Sequence, residues 1–233
     1  MKTSLYFLFL ALSFSLLSSS CKKEEEAVAM TEEEAVEVIE SSMSAEAQGM
    51  AGEASDVAEA AESFADESLC GMTGDSSLSY TIDQVNLQAS YTIAWGWELV
   101  CTGFIPNTLE FVRTTDGTYE TNRLKSDDSA ISSWDITNLV TGTQYIMNGS
   151  YTREGSQESK IGQQNEFSST LVITATDILV DKVTQEITGG TASFTLTGNG
   201  SGGSDVSYTG TIVFNGNQSA TLTINGNSHP LNW

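Results

Sequence analysis

The sequence predicts a mainly β protein, with an antiparallel meander that forms a sandwich or a (half-)barrel and an acidic α-helical segment before it. Three observations support this. After Cys70 the composition shifts to serine, threonine, glycine, asparagine and β-branched residues. From there apolar and polar residues alternate with a period of two, which is typical of strands with one buried face. Pairs such as Asn-Gly and Asp-Gly, which favour tight hairpin turns, separate these runs.

Residues 1–20 have the features of a signal peptide. Their apolar run, residues 5–17, is 13 residues long, whereas a transmembrane helix needs roughly 20. Three serines follow, and then Cys21, which is the predicted lipidation site. Two or more acyl chains on such a cysteine anchor a protein stably in a membrane. The alternative is a secreted protein in which Cys21 carries no lipid.

Residues 21–30 form the lipidated N-terminus and tether in this prediction, and they include Lys23, Glu24 and Glu25. The signal peptide, the cysteine, this charged run and the stretches 133–139, 148–155 and 208–216 resemble uncharacterised surface-exposed lipoproteins of Bacteroidota. The resemblance implies that Lys23, Glu24 and Glu25 belong to an export signal. It further implies an outer-membrane anchor with the protein exposed at the cell surface; the alternative is a periplasm-facing position. It transfers no catalytic or ligand-binding residue.

Residues 31–70 form the predicted acidic helical segment. Residues 22–70 hold 15 of the 31 acidic residues, and Thr31 with Glu34 matches a capping box. Gly49 and Gly52 weaken the helix, so we expect one broken helix or two in tandem. This segment packs on the β domain or on a partner helix, or it is a charged, partly helical spacer. An apolar stripe at spacings of three and four consists of Met43, Ala47, Met50, Ala54, Val57, Ala61 and Phe64.

Residues 71–233 form the predicted antiparallel β domain, with about nine to eleven strands. Its clearest strand is 91–101, where apolar side chains occupy alternate positions. The meander buries its apolar face by forming a sandwich, by closing into a barrel, or by curling over a helix. The predicted turns are Asp116-Gly117, Gly189-Gly190, Asn215-Gly216 and Asn225-Gly226.

Cys70 and Cys101 are the two cysteines left once Cys21 carries lipid. An even pair in an exported protein predicts a disulfide. By loop-entropy scaling it contributes on the order of 3–4 kcal/mol to stability.

The net charge of −22 and the pI near 4.1 argue against nucleic acid and anionic lipid surfaces as partners. The charge is compatible with cation binding. Calcium held by Asp127, Asp128 and Asp205 is one option, since calcium takes carboxylate oxygens. The tripeptide Asp128-Ser129-Ala130 resembles the O-glycosylation motif of exported Bacteroidota proteins, which makes Ser129 a candidate acceptor.

No catalytic motif emerges from the sequence, and His229 is its only histidine. We therefore predict a protein that is not an enzyme, with no catalytic or metal-ligating residues and no cofactor besides the lipid on Cys21. Trp95, Trp97 and Trp134 are candidate ligand-facing aromatics, and a buried core is the alternative for them.

The predicted role is non-catalytic binding, or a structural role in the envelope, with a glycan, a lipid or an envelope protein as ligand. The first alternative is a half-barrel carrier of a lipid or other apolar ligand that faces the periplasm. It requires a cavity along the face of Trp95 and Trp97 that the helical segment does not fill. A hydrolase is the second alternative.

Overall fold

The structure, a computed structural model, describes residues 29–160, 166–200 and 204–233. The predicted signal peptide, Cys21, Lys23, Glu24 and Glu25 lie outside the described residues. Within the described ranges, two α-helices, α1 (Glu32–Ser41) and α2 (Met50–Phe64), and a 3-10 helix (Glu67–Leu69) come first. Ten strands follow: β1 (Thr73–Gln84), β2 (Leu87–Thr102), β3 (Ile105–Thr121), β4 (Leu124–Thr137), β5 (Gln144–Ser159), β6 (Glu166–Asp181), β7 (Ile187–Gly200), β8 (Asp205–Gly216), β9 (Ser219–Ile224) and β10 (Asn227–Asn232).

All ten strands form one antiparallel sheet in chain order, so each strand pairs with its neighbours in sequence. Among the described residues β1 and β10 are the two edges, and the sheet does not close. This confirms the predicted meander. Of the arrangements considered, the sheet adopts the one in which it curls over a helix, because α1 and α2 pack on its concave face.

The helices and the sheet share one hydrophobic core. Six of the seven residues of the predicted stripe are buried, and Phe64 is partly buried. Helix α1 adds Ala35, Val38 and Ile39, which the sequence analysis did not single out. Each large apolar side chain buried in this way stabilises the fold by roughly 1.5–3 kcal/mol. In this structure the acidic segment is therefore a layer of the fold rather than a spacer.

The ends of the helices follow from local chemistry. The Glu34 N–H donates to Thr31 Oγ1 at 3.2 Å and the Thr31 N–H donates to Glu34 Oε2 at 2.9 Å, which confirms the capping box. Gly49 is the N-cap of α2. A Cβ at Gly49 would overlap the backbone of Ser42 and Met43, so the tight connection between the helices needs glycine there. The predicted pair of helices in tandem is confirmed.

Met30 fixes the start of the helical layer to the sheet. It is buried, its side chain lies over Gly198 of β7, and its carbonyl oxygen accepts a hydrogen bond from Tyr208 Oη of β8 at 2.9 Å. The described chain therefore enters the fold at the β7–β8 hairpin.

Aromatic side chains on the concave face lie across glycines of the adjacent strand. A Cβ on any of these glycines would overlap the ring of its direct partner. Each glycine leaves room for the large ring of the neighbouring strand. Glycines at such positions are typical of curved sheets. The four pairs are Trp97 with Gly74, Tyr91 with Gly117, Trp134 with Gly149, and Phe194 with Gly210.

One of the four predicted turns is present: Asn225 and Gly226, both with positive φ, connect β9 to β10. Asn215-Gly216 is not the turn but the end of β8, because Gly216 still pairs with Ser219 and the turn is made by Asn217 and Gln218, both with positive φ. Asp116-Gly117 is not a turn but lies inside β3, because Tyr91 covers Gly117. Gly189-Gly190 is not a turn either. It lies near the start of β7, where the register with β6 shifts and Gly190 has φ +114°.

None of the helices in the described part of the chain is both long enough and apolar enough to cross a bilayer.

Candidate functional site

Cys70 and Cys101 form the predicted disulfide. It joins the chain just after the 3-10 helix to the end of β2. Together with the β1–β2 hairpin, it holds the end of the helical layer against one edge of the sheet. The candidate site described below lies beside this edge.

Trp134 and Trp97 both contact helix α2. Trp134 is 1% exposed, and its Nε1 donates to the Glu53 carboxylate of α2 at 2.7 Å. The Trp97 ring stacks on Phe64 with 4.3 Å between ring centroids. In this structure both indoles therefore attach the helix to the sheet rather than face solvent.

The Glu53 carboxylate is buried between α2 and the sheet. It accepts hydrogen bonds from Ser132 Oγ and from Trp134 Nε1. Burial raises the pKa of this carboxyl, and the nearby Arg113 guanidinium and the two donors oppose the shift. Glu53 is therefore a polar anchor of the helical layer.

Trp95 differs from the other two indoles because it borders an open cleft. The cleft lies between α2 and strands β1–β3 and has a volume of about 320 Å³. This is near the lower end of the range for small-molecule sites, which are mostly apolar with a few polar groups. Its lining residues are Asp56, Glu59, Ala60, Ser63, Phe64, Leu78, Ile93, Trp95, Phe111 and Arg113.

Arg113 supplies the polar part of this Trp95 cleft. It is the direct partner of Trp95 across β2 and β3, and its side chain is 4% exposed. Its Nη1 donates to Asp56 Oδ2 at 2.7 Å, and its Nη2 donates to Gln48 Oε1. Asp56 itself is 61% exposed. The guanidinium is thus held in place, while the Asp56 carboxylate is open to solvent at the rim.

The cleft combines a flat indole, aliphatic walls and carboxylates at the rim, with Asp56 and Glu59 both on α2. An indole face attracts apolar groups and, through its quadrupole, cations. The rim carboxylates favour positive charge or hydrogen-bond donors. The arrangement suits a ligand with an apolar group and an adjacent cationic or donor group.

A larger depression, of about 1090 Å³, crosses one end of strands β1–β7. Serine, threonine, glutamine and charged side chains dominate its lining, and its aromatics Tyr119 and Phe167 are each at most 4% exposed. Polar and apolar atoms contribute about equally to its exposed lining, whereas apolar atoms predominate in the Trp95 cleft. The Trp95 cleft fits the chemistry of a binding site better.

The proposed calcium ligands do not converge in the structure. Asp127 and Asp128 lie in β4 rather than in a loop, and adjacent strand residues point to opposite faces. Asp128 is buried and accepts from Arg153 Nη2 at 2.8 Å, while Asp205 accepts from Asn199 at 2.6 Å. Among the described residues no group of three or more His, Cys, Asp or Glu side chains is placed to hold a metal ion.

Ser129 and His229 also lie in strands. Ser129 is partly buried on the outer face of β4, between Asp116 and Glu154 of the neighbouring strands. His229 lies in β10, where its Nε2 is 3.2 Å from Glu32 Oε1. His229 is thus at the opposite edge of the sheet from the Trp95 cleft. O-glycosylation at Ser129 remains a prediction.

The sequence analysis found Trp95 but missed its surroundings. Leu78, Phe111 and Arg113 were not singled out, because their proximity to Trp95 depends on the register of β1, β2 and β3. Leu109, Phe111 and Arg113 do alternate on one face of β3. Pairing this alternation with that of 91–101 would have placed Arg113 opposite Trp95.

Comparisons of the chain with protein-family models, with curated proteins and with solved structures find no match. The resemblance to Bacteroidota lipoproteins therefore stays a prediction from the motifs alone.

Proposed function

We propose that this protein is a lipid-anchored protein of the outer membrane, exposed at the cell surface, that binds a ligand at the Trp95 cleft without catalysing a reaction. The observation that supports a binding role is the cleft itself. There the apolar face of β2 is open to solvent beside the Arg113 guanidinium, which a hydrogen bond to Asp56 fixes in place. The location rests on the signal peptide, Cys21 and the charged run after it.

The structure favours this role over that of a carrier that encloses a large apolar ligand. Such a carrier needs an empty concave face, but α1 and α2 occupy it with fully buried residues such as Ile39, Met50 and Val57. On the face of Trp95 and Trp97, the opening that remains is the cleft of about 320 Å³ beside Trp95, because Trp97 is covered by Phe64. A ligand of this site is therefore a small group or one side chain of a larger partner.

The anchor is tested by metabolic labelling with an alkyne fatty acid in cells that express the wild type or Cys21→Ala. We expect label on the wild type and none on the variant, because the cysteine thiol is the acylated group. Protease treatment of intact cells then reports location, and we expect the β domain to be cleaved from whole cells. Label retained by Cys21→Ala, or full protection from the protease, would reject the corresponding part of the proposal.

The binding site is tested by placing the photo-crosslinking residue p-benzoylphenylalanine at Trp95 in the full chain on intact cells. The matched control carries it at Ile131, which is 55% exposed on the outer face of β4. We expect discrete adducts from position 95 and none from position 131. Equal crosslinking from both positions would show that the cleft is not a selective site.

A further inference from the structure

The two edges of the open sheet are protected to very different degrees. β10 is six residues long, contains Pro230, and is tied to α1 through Asn227 and His229, which contact Glu32. Short length and proline are devices that stop an edge strand from pairing with another chain. The β10 edge therefore carries such protection.

The β1 edge lacks these devices. β1 is twelve residues long, contains no proline, lysine or arginine, and pairs with β2 in an uninterrupted register. Among the described residues its only strand partner is β2. In an antiparallel sheet alternate residues of an edge strand direct N–H and C=O groups away from the sheet. β1 thus offers a row of backbone groups to an added strand.

The free edge and the Trp95 cleft are adjacent. Leu78, at the middle of β1, is 43% exposed, pairs with Ile93 and lines the cleft. A strand added beside β1 would direct alternate side chains toward the gap between β1 and α2. That gap is where Leu78 and Trp95 present apolar surface.

The charges around this edge select the partner. Asp75 and Asp83 are exposed on β1, and Asp56 and Glu59 stand on the helix side of the cleft. The basic group at the cleft, Arg113, is buried and paired with Asp56. A second copy of this chain carries a net charge of −22 and would bring like charges together, whereas a basic segment would meet opposite charge.

We propose that β1 binds an extended basic segment of another protein as an added strand, with one apolar side chain of that segment in the Trp95 cleft. This mode obtains affinity from backbone hydrogen bonds and specificity from the pocket for alternate side chains. The inference rests on the proposed function, since it names the class of ligand for the same cleft.

The probe is a nine-residue peptide in which lysine alternates with valine and a leucine occupies the centre. Its matched control is the same peptide with every backbone nitrogen methylated, which removes the N–H donors from both of its edges. The measurements are peptide affinity and amide hydrogen exchange of residues 73–84 in the full chain. We expect the unmodified peptide to protect these amides and the methylated peptide to bind about tenfold more weakly or worse.

Three protein variants test the cleft and the face of β1 that borders it. Leu78→Lys changes the inward-facing position, and Ser77→Lys adds the same charge one residue away on the outer face. We expect Leu78→Lys to weaken binding about tenfold and Ser77→Lys to weaken it far less. Trp95→Ala is expected to weaken binding as Leu78→Lys does.

The outcomes that overturn the inference differ from those that overturn the proposed function. If the methylated and unmodified peptides bind equally well but Trp95→Ala loses affinity, strand addition is rejected and the cleft is retained as the binding site. If methylation of the peptide abolishes binding but Trp95→Ala leaves the affinity unchanged, the cleft is rejected as the binding site and strand addition at β1 is retained. No protection of residues 73–84 at millimolar peptide, selective binding of maltohexaose at Trp95, or dimerisation through β1 in light scattering would each reject the inference.

Discussion

The Asp128 carboxylate and the Arg153 guanidinium form an ion pair on the concave side of the sheet, 2.8 Å apart, and both side chains are at most 5% exposed. Ser126 also donates to Asp128, and the guanidinium lies over the Tyr119 ring. Removing one partner of such a pair leaves an uncompensated buried charge. The neighbouring residue, Asp127, is exposed on the other face of β4.

We therefore expect Asp128→Asn to lower the free energy of unfolding by about 3 kcal/mol. Asp127→Asn is the matched control and should stay within about 0.5 kcal/mol of the wild type. Urea denaturation followed by tryptophan fluorescence measures both. Similar losses in the two variants would show that the ion pair is not what stabilises this region.

Glu53 gives a pH dependence whose direction follows from burial. Its pKa is raised from the ordinary value of 4.5, so above that pH the folded protein retains a proton that the unfolded chain releases. This contribution therefore lowers stability as the pH rises from about 4.5 through the pKa of the folded state.

Glu53→Gln has no such titration, so its stability relative to the wild type should increase over this range. Urea midpoints at pH 4.5 to 8 test this, with Glu59→Gln as the exposed control on the same helix. A pH-independent difference between Glu53→Gln and the wild type would contradict the prediction.

At the scale of single elements, the paired glycines and rings connect strand sequence to sheet curvature. A methyl group at Gly117 would overlap the Tyr91 ring and the Ser90 carbonyl oxygen. Tyr91 also donates from its Oη to the Glu46 carbonyl oxygen at 3.1 Å, beside the helical layer.

We expect Gly117→Ala to lower the free energy of unfolding by about 2 kcal/mol, because the Tyr91 ring must move. Gly96→Ala is the control, since its Cβ would meet only the Gly74 oxygen, at 3.6 Å. Thermal denaturation of both variants measures the difference. Equal losses of stability would contradict the idea that the Tyr91 ring requires glycine at position 117.

The disulfide acts on the β1–β2 hairpin. Its cysteines are separated by 31 residues in the chain, so the double change Cys70→Ser and Cys101→Ser should cost about 3–4 kcal/mol by the loop-entropy argument. Amide exchange in β1 should increase more than in β5 or β6, because β1 lies within the closed loop at the edge of the sheet. If reduction of the wild-type disulfide leaves the free energy of unfolding unchanged, the disulfide does not stabilise the fold.

How much of these elements the sequence predicts depends on the range of the interactions. Alternation along 91–101 and the Thr31 capping box are local, and both were predicted correctly. The local preference of Asp116-Gly117 predicts a turn, whereas the Tyr91 ring of the neighbouring strand places this pair inside β3. The curl of the sheet and the Trp95 cleft depend on register and on incomplete packing by α2, which local patterns do not specify.

At the scale of the whole molecule, the shared core makes the helical layer part of the folding unit. We expect native-state hydrogen exchange to show the amides of Val38 and Val57 opening with the same free energy as those of β5. This follows because elements that share a core open cooperatively. Exchange of both helices at low denaturant, while the sheet stays protected, would instead indicate a separable segment.

The attachment of Met30 to the β7–β8 hairpin has a consequence for orientation. Cys21 and Met30 are nine residues apart, so the proposed lipid on Cys21 would keep this hairpin within roughly 30 Å of the bilayer. β1 lies seven strand positions from β8, roughly 34 Å along the sheet. The proposed anchor would therefore hold the molecule by one flank, with the unprotected β1 edge on the other.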